Sequence, residues 1–184
     1  ERFQYSNLGY TLLAAVVEAV SGKSFSTFLD EEIFTPLGME NTFLLSPEGS
    51  KQAMAGSYNA KNKQKAWYLA SYPGAKGLYA SAYDLLEFSQ ALYTNTLVSK
   101  EMIAESYEMA ELNDGTRINY GFGWRKWKGI DTLVFHMGDW VGNESILFRD
   151  LERKLSIIIL ANRENSMSKE QIIDMILPQL GYKH

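Results

Sequence analysis

Apolar residues recur at helical spacing from Asn7 to Val20. Leu8, Leu12, Ala15, Val16 and Ala19 form one face, and Leu13, Val17 and Val20 extend it nearly all round. Glu18 is the only charge in that run, so the pattern predicts a helix buried on most sides. Gly22 suits the left-handed position that ends a helix. Ser24 can then cap a second helix to about Phe34, which Thr35-Pro36-Leu37-Gly38 stops. The period is lost over 46–77, where Gly, Pro, Asn and the cluster Lys61, Lys63 and Lys65 read as a solvated loop. Loops of this kind also carry specificity, which makes residues 50–76 a candidate wall of a substrate cleft. Ser81-Ala82-Tyr83-Asp84 has the form of an N-cap, with Asp84 favouring the positive helix end, and opens a helix ending near Tyr93. A shorter helix follows Ser99.

After Asn113 the period shortens. Tyr120 to Lys128, Thr132 to Met137, Glu144 to Arg149 and Lys154 to Ala161 read as strands, joined by turns at Gly129-Ile130-Asp131 and at 150–153. Ser168, with Gln171 three residues on, forms a capping box for a closing helix to about Leu180. Helices, then a meander, then a terminal helix predict a layered α+β or α/β domain. The whole chain, 1–184, reads as a single domain unit, mainly helical over 1–112 and strand-rich with a closing helix over 113–184. The run Leu155-Ser156-Ile157-Ile158-Ile159-Leu160 is apolar at almost every position, which predicts burial on both faces inside a sheet. As the last strand it would then need a partner on its other edge. An exposed edge predicts self-association.

Composition narrows the function classes. With 184 residues, 46% hydrophobic and 22% charged, the chain can build one substantial core. A formal charge of −4 gives no reason to expect nucleic acid or an anionic membrane as partner. The absence of cysteine rules out disulfides and thiolate metal sites, and His136 and His184 alone are too few for a histidine-rich metal site. No stretch reaches the roughly 18–20 apolar residues that a membrane span needs.

Two short motifs carry the chemistry. Tyr5-Ser6-Asn7 runs straight into the first apolar helix, and His136-Met137-Gly138 closes a strand-like run. Each has a plain structural reading. Tyr-x-Asn recurs as Tyr93-Thr94-Asn95, and Tyr5 can be a half-buried aromatic with Asn7 as helix cap. A lone histidine in a strand is more often structural than catalytic. Trp124, Trp127 and Trp140 could shape a pocket, with core packing the simpler default. A glycine two residues after His136, however, allows close backbone approach by a ligand.

Taken with their surroundings, the motifs resemble the second and third motifs of the serine β-lactamase/penicillin-binding-protein superfamily. The second-motif region is Phe3-Gln4-Tyr5-Ser6-Asn7-Leu8-Gly9-Tyr10-Thr11-Leu12-Leu13, followed by Val20-Ser21-Gly22-Lys23-Ser24 and Ile33-Phe34-Thr35-Pro36-Leu37-Gly38-Met39. Gly74 to Leu85 looks like the family's glycine-rich turn and following helix. Tyr120-Gly121-Phe122-Gly123-Trp124 looks like the start of the strand leading to the third motif, and Gly142 to Asn162 like the last two strands. The resemblance implies an α+β fold, β-lactamase/transpeptidase-like, with an antiparallel sheet packed against helices.

The family's nucleophile lies in a Ser-x-x-Lys upstream of Tyr-x-Asn, and here four residues precede Tyr5. The chain is therefore expected to be the C-terminal part of such a hydrolase, lacking the N-terminal strands and the nucleophile helix and inactive alone. Ser166-Met167-Ser168-Lys169 fits the pattern formally but stands in the wrong order, and Ser168 is already occupied as a helix cap. By resemblance, Tyr5 relays the serine proton and Asn7 bonds the motif lysine or a substrate amide. His136 supports the site, and the amide of Asp139, just after Gly138, completes the oxyanion hole. His136 in place of lysine looks like the esterase and D-aminopeptidase branches. Met137 replaces a small or hydroxylated residue, a departure that bears on recognition of a β-lactam carboxylate. The resemblance implies a small-molecule or peptide-like acyl substrate, no metal or organic cofactor, and an extracytoplasmic setting. The rival from another class is a non-catalytic module that binds peptidoglycan or a protein partner.

Overall fold

The computed structural model describes residues 2–46, 54–59, 62–63, 72–140, 142–163 and 167–182, so Lys61, Lys65 and Ser166 lie outside the described residues. Helix α1 spans Asn7–Ser21. Its cap is Ser6, whose hydroxyl accepts from the Gly9 amide at 3.1 Å, so Asn7 is the first helical residue and not the cap. Gly22, at φ +70°, ends the helix as expected. The expected burial does not hold: only Ala14 is buried, while Leu8, Leu12, Leu13, Val16 and Val20 are exposed. The helix packs against α2 (Phe25–Leu29) and turns most of its apolar surface outward among the described residues.

After α2 the chain makes a π-helical turn over Asp30–Phe34 and continues as α3 (Thr35–Leu37). Pro36 sits in the first turn of α3, where its missing N–H costs nothing, so the helix runs to Gly38 and does not stop at Thr35. Short strands follow: β1 (Phe43–Leu44), β2 (Tyr58–Asn59), β3 (Asn62–Lys63) and β4 (Leu78–Tyr79), pairing β1 with β4 and β2 with β3. Helix α4 (Ala82–Ala91) starts at Ser81, whose hydroxyl accepts from the Asp84 amide at 3.0 Å. Buried Asp84 accepts in turn from the Asn41 amide and from the hydroxyls of Thr42 and Ser81, joining the α3–β1 connection to the start of α4. Helix α5 (Lys100–Ser106) and the pair β5 (Ala110–Glu111) and β6 (Arg117–Ile118) lead to the main sheet.

That sheet contains β7 (Arg125–Trp127), β8 (Ile130–Trp140), β9 (Asn143–Asp150) and β10 (Leu155–Ala161), all antiparallel in the order β10-β9-β8-β7. Residues 120–124 are not strand as expected. Phe122 donates its amide to the Ser106 carbonyl, and Gly123 at φ +85° turns the chain away from extended geometry. Strand β10 is at the sheet edge, half-buried along its length with Leu160 exposed, and not enclosed on both faces.

One face of the sheet packs Leu133, Phe135, Ile146 and Phe148 with Trp127 against Ile173 and Leu177, from α6 (Lys169–Ile176) and the 3-10 turn Leu177–Leu180. The Ser168–Gln171 capping box that starts α6 is present in full. The opposite face carries Val134 and Arg149, with α4 laid over it. An antiparallel sheet with helices on both sides is the α+β architecture the chain was expected to adopt.

Candidate active site

Alternation along β8 decides which motif residues can act together. His136, Gly138 and Trp140 share the α4-side face, whereas Met137 and Asp139 point to the α6 side. Met137 accordingly packs against the core beneath α6. Asp139 pairs with Glu144 across the hairpin, and both carboxylates face the nearly buried Lys169 ammonium, at 3.7 and 3.6 Å. The Asp139 side chain is thus engaged behind the sheet, and only its backbone can serve the His136 face.

Strand β7 accompanies β8 only as far as the Arg125–Phe135 pair. From His136 to Trp140 the edge of β8 turned away from β9 has no strand neighbour among the described residues. Its outward N–H and C=O groups are therefore presented beside the third motif. Gly138 adds space on the side paired with β9. A Cβ built there would collide with the Ser145 hydroxyl across the ladder, so the glycine is what lets Ser145 lie against the strand.

Tyr120 holds the two motifs together. Its hydroxyl is 3.0 Å from Nε2 of His136 and accepts from the Tyr10 hydroxyl at 3.3 Å. Its ring meets Tyr5 edge-on at 5.9 Å and Phe3 at 5.8 Å between centroids, with the Arg125 guanidinium 5.1 Å over its face. Tyr5 and His136 thus both contact one buried ring. Asn7 stays at the exposed start of α1, and neither its side chain nor the Tyr5 hydroxyl bonds another described residue.

The environment sets the charge states. Burial, then the nearby Arg125 cation, holds His136 below its ordinary value, with a hydrogen bond to the Met137 backbone acting the other way. Burial first, and then the neighbouring Tyr10 phenol, pushes the Tyr120 phenol above its usual range. At neutral pH the site therefore holds a neutral imidazole bonded to a neutral phenol. At the far end of the β8 face, the Lys76 ammonium lies over the Trp140 ring, 2.6 Å from its centroid, and burial lowers its value. Trp127 and Trp124 are packing residues: Trp127 sits in the core, and Trp124 contacts Tyr107 and the Arg149 guanidinium. Among the described residues no three His, Asp or Glu side chains converge as a metal site.

The chain resembles known proteins along almost its whole length. A family model described as Beta-lactamase matches residues 1–177. The chain belongs to that family of β-lactamase-like serine hydrolases. Among curated relatives, penicillin-binding protein 4* of Bacillus subtilis (strain 168) is 31% identical over 191 residues, covering 94% of this chain and 42% of that protein. A D-aminopeptidase of Gluconobacter oxydans (strain 621H) is 24% identical, covering 92% of this chain and 33% of that protein. The octameric penicillin-binding protein homologue from Pyrococcus abyssi superposes with a TM-score of 0.82 at 24% identity, covering 100% of this chain and 44% of that one. The chain thus spans less than half the length of these relatives.

Sequence reading missed Tyr10, Tyr120 and Arg125 as members of the site. A usable signal was present, since Tyr120 is followed by Gly121 and Gly123, and glycines beside an aromatic mark a tight turn and close approach. Gly121 confirms it: a Cβ there would meet the Glu108 carbonyl oxygen at 2.7 Å.

Proposed function

We propose that this chain supplies the proton-transfer and oxyanion sides of an acyl-transfer site in a serine hydrolase that cleaves an ester or amide through an acyl-enzyme. The nucleophilic serine would come from outside residues 1–184. Tyr5 is the general base, Asn7 and His136 are polar supports, and the amide of Asp139, beside Gly138, donates to the oxyanion. In acylation the Tyr5 phenolate takes the serine Oγ proton as the Oγ–carbonyl bond forms. The proton passes to the leaving oxygen or nitrogen as its bond breaks, and water reverses the sequence to free the acid. A tyrosine does this work only where a neighbouring cation lowers its pKa. On this reading, the family's motif lysine does that for Tyr5.

The observation that carries the reading is the joining of Tyr5 and His136 through Tyr120 beside the unpaired edge of β8. Intact mass after treatment with a serine-directed acylating probe tests it, on this chain and on the full gene product. The expected result is an adduct on the full product alone, lost when Tyr5→Phe is introduced. An adduct on Ser166 of this chain, or no adduct on either protein, overturns the catalytic reading. The second outcome leaves a non-catalytic binding module in its place.

A further inference from the structure

Three polar side chains form a line through the site: Tyr10 Oη to Tyr120 Oη at 3.3 Å, then Tyr120 Oη to His136 Nε2 at 3.0 Å. A phenol has one proton to give. Because Tyr10 donates to the Tyr120 oxygen, the Tyr120 proton remains for Nε2. A nitrogen that accepts this bond carries no hydrogen, so the ring proton must sit on Nδ1. The bond to the Met137 backbone agrees, since it favours the protonated ring and therefore involves a ring N–H as donor.

We infer that Tyr120 is a positioning residue, backed by Tyr10, that locks His136 as the Nδ1–H tautomer with Nε2 occupied by the phenol proton. On this assignment both imidazole nitrogens are engaged at neutral pH. His136 is then neither a free base nor a free acid towards the cleft, and its contribution is to hold β8 against the start of α1. The relay also makes structural sense of an exposed helix. α1 buries Ala14 alone, so the Tyr10–Tyr120 bond and the Tyr5 and Phe3 ring contacts fix its first turns relative to the sheet. Gly74 contributes by closing on the Tyr10 backbone carbonyl, where any side chain would collide. The groups facing the imidazole are Tyr120 from the 120–124 turn, Arg125 from β7 and, behind Tyr120, Tyr10 and Tyr5 from the α1 end.

The inference rests on His136 being a site group, but its test needs no turnover. Long-range proton–nitrogen correlation spectra of the imidazoles are simple here, because the chain has two histidines. In the unaltered chain the His136 Nε2 resonance is expected at the unprotonated position and Nδ1 at the protonated one. Tyr120→Phe should shift the tautomer ratio about tenfold towards Nε2–H, the size of one net hydrogen bond. Tyr10→Phe should shift it less, in the same direction, and serves if Tyr120→Phe fails to fold. Arg125→Gln should raise the titration midpoint while leaving the ratio unchanged, which separates charge from positioning. A protonated Nε2 in the unaltered chain, an unchanged ratio in both tyrosine variants, or a ratio that follows Arg125 overturns the inference. Because these spectra are read without substrate, failure of the acylation test leaves the relay standing, and loss of the relay leaves acylation possible.

Discussion

Arg149 donates from Nε to the Ser89 hydroxyl at 2.8 Å and from Nη2 to the Ser89 carbonyl at 3.0 Å, with no exposed surface of its own. Its remaining nitrogen bonds the Tyr107 hydroxyl, and the rings of Tyr93 and Trp124 lie 4.4 and 5.5 Å from the guanidinium carbon. This one side chain joins β9 to α4, to the end of α5 and to the turn before β7. That turn begins at Tyr120, so Arg149 supports the site from behind.

Arg149→Ala is expected to destabilise the chain by about 3 kcal/mol or more, since it opens a cavity and strands the Ser89 and Tyr107 groups. Arg149→Lys should recover little, because an ammonium cannot reproduce the planar fork. Urea denaturation of both variants checks this, and a cost near that of a surface substitution would refute it.

Asp84 gives the chain an acid-side stability slope. Burial alone raises its value, but hydrogen bonds from Thr42, Ser81 and the Asn41 amide outweigh it and hold the carboxyl below the ordinary 3.8. A depressed folded-state value means the contribution is complete above about pH 4, the unfolded value, and is lost as pH falls below it. Asp84→Asn is therefore expected to cost about 1–2 kcal/mol at neutral pH, through the lost charge-assisted bonds at the cap. Its deficit should shrink as the pH drops below 4. A deficit independent of pH between 2 and 7 would show that the carboxylate is not the responsible group.

Two glycines of the β8–β9 hairpin should respond differently to alanine. At Gly142, φ is +77° and a Cβ would lie 2.5–2.7 Å from Tyr58 backbone atoms, so the β2 region must move. At Gly138 the obstacle is the end of the Ser145 side chain, which can rotate. Gly142→Ala is expected to cost about 2 kcal/mol or more, and Gly138→Ala less than about 1 kcal/mol. Adding Ser145→Ala should relieve the second cost but not the first. Thermal melts of the two single and two double variants decide, and equal losses at the two glycines would contradict the geometry.

The β10 edge and the outward face of α1 leave apolar surface exposed among the described residues, including Leu160 and Val20. Reversible self-association is the expected consequence. Sedimentation velocity should show the mean mass rising with concentration, and Leu160→Lys should lower it. A monomer at all concentrations would indicate that the edge is protected.

Local order in this chain is written in local residues. Ser24, Ser81, Ser99 and Ser168 cap their helices, Gly22 ends α1, and the period-two runs after Asn113 become the sheet. Each depends on interactions spanning a few residues, which the order of side chains fixes directly. The family motifs were legible for the same reason. Burial and partnership were not. The all-round apolar pattern of α1 and the unbroken apolar run of β10 describe surfaces that can be covered, and tertiary packing among the described residues covers only part of each. The Tyr10–Tyr120 bond closes 110 residues of chain, and the Arg149–Ser89 bond closes 60. No periodicity selects which tyrosine meets His136, or which one backs it from 110 residues away. That choice follows from sheet register and from the close approach permitted by Gly74 and Gly121, so only the tertiary structure made Tyr120 the centre of the site.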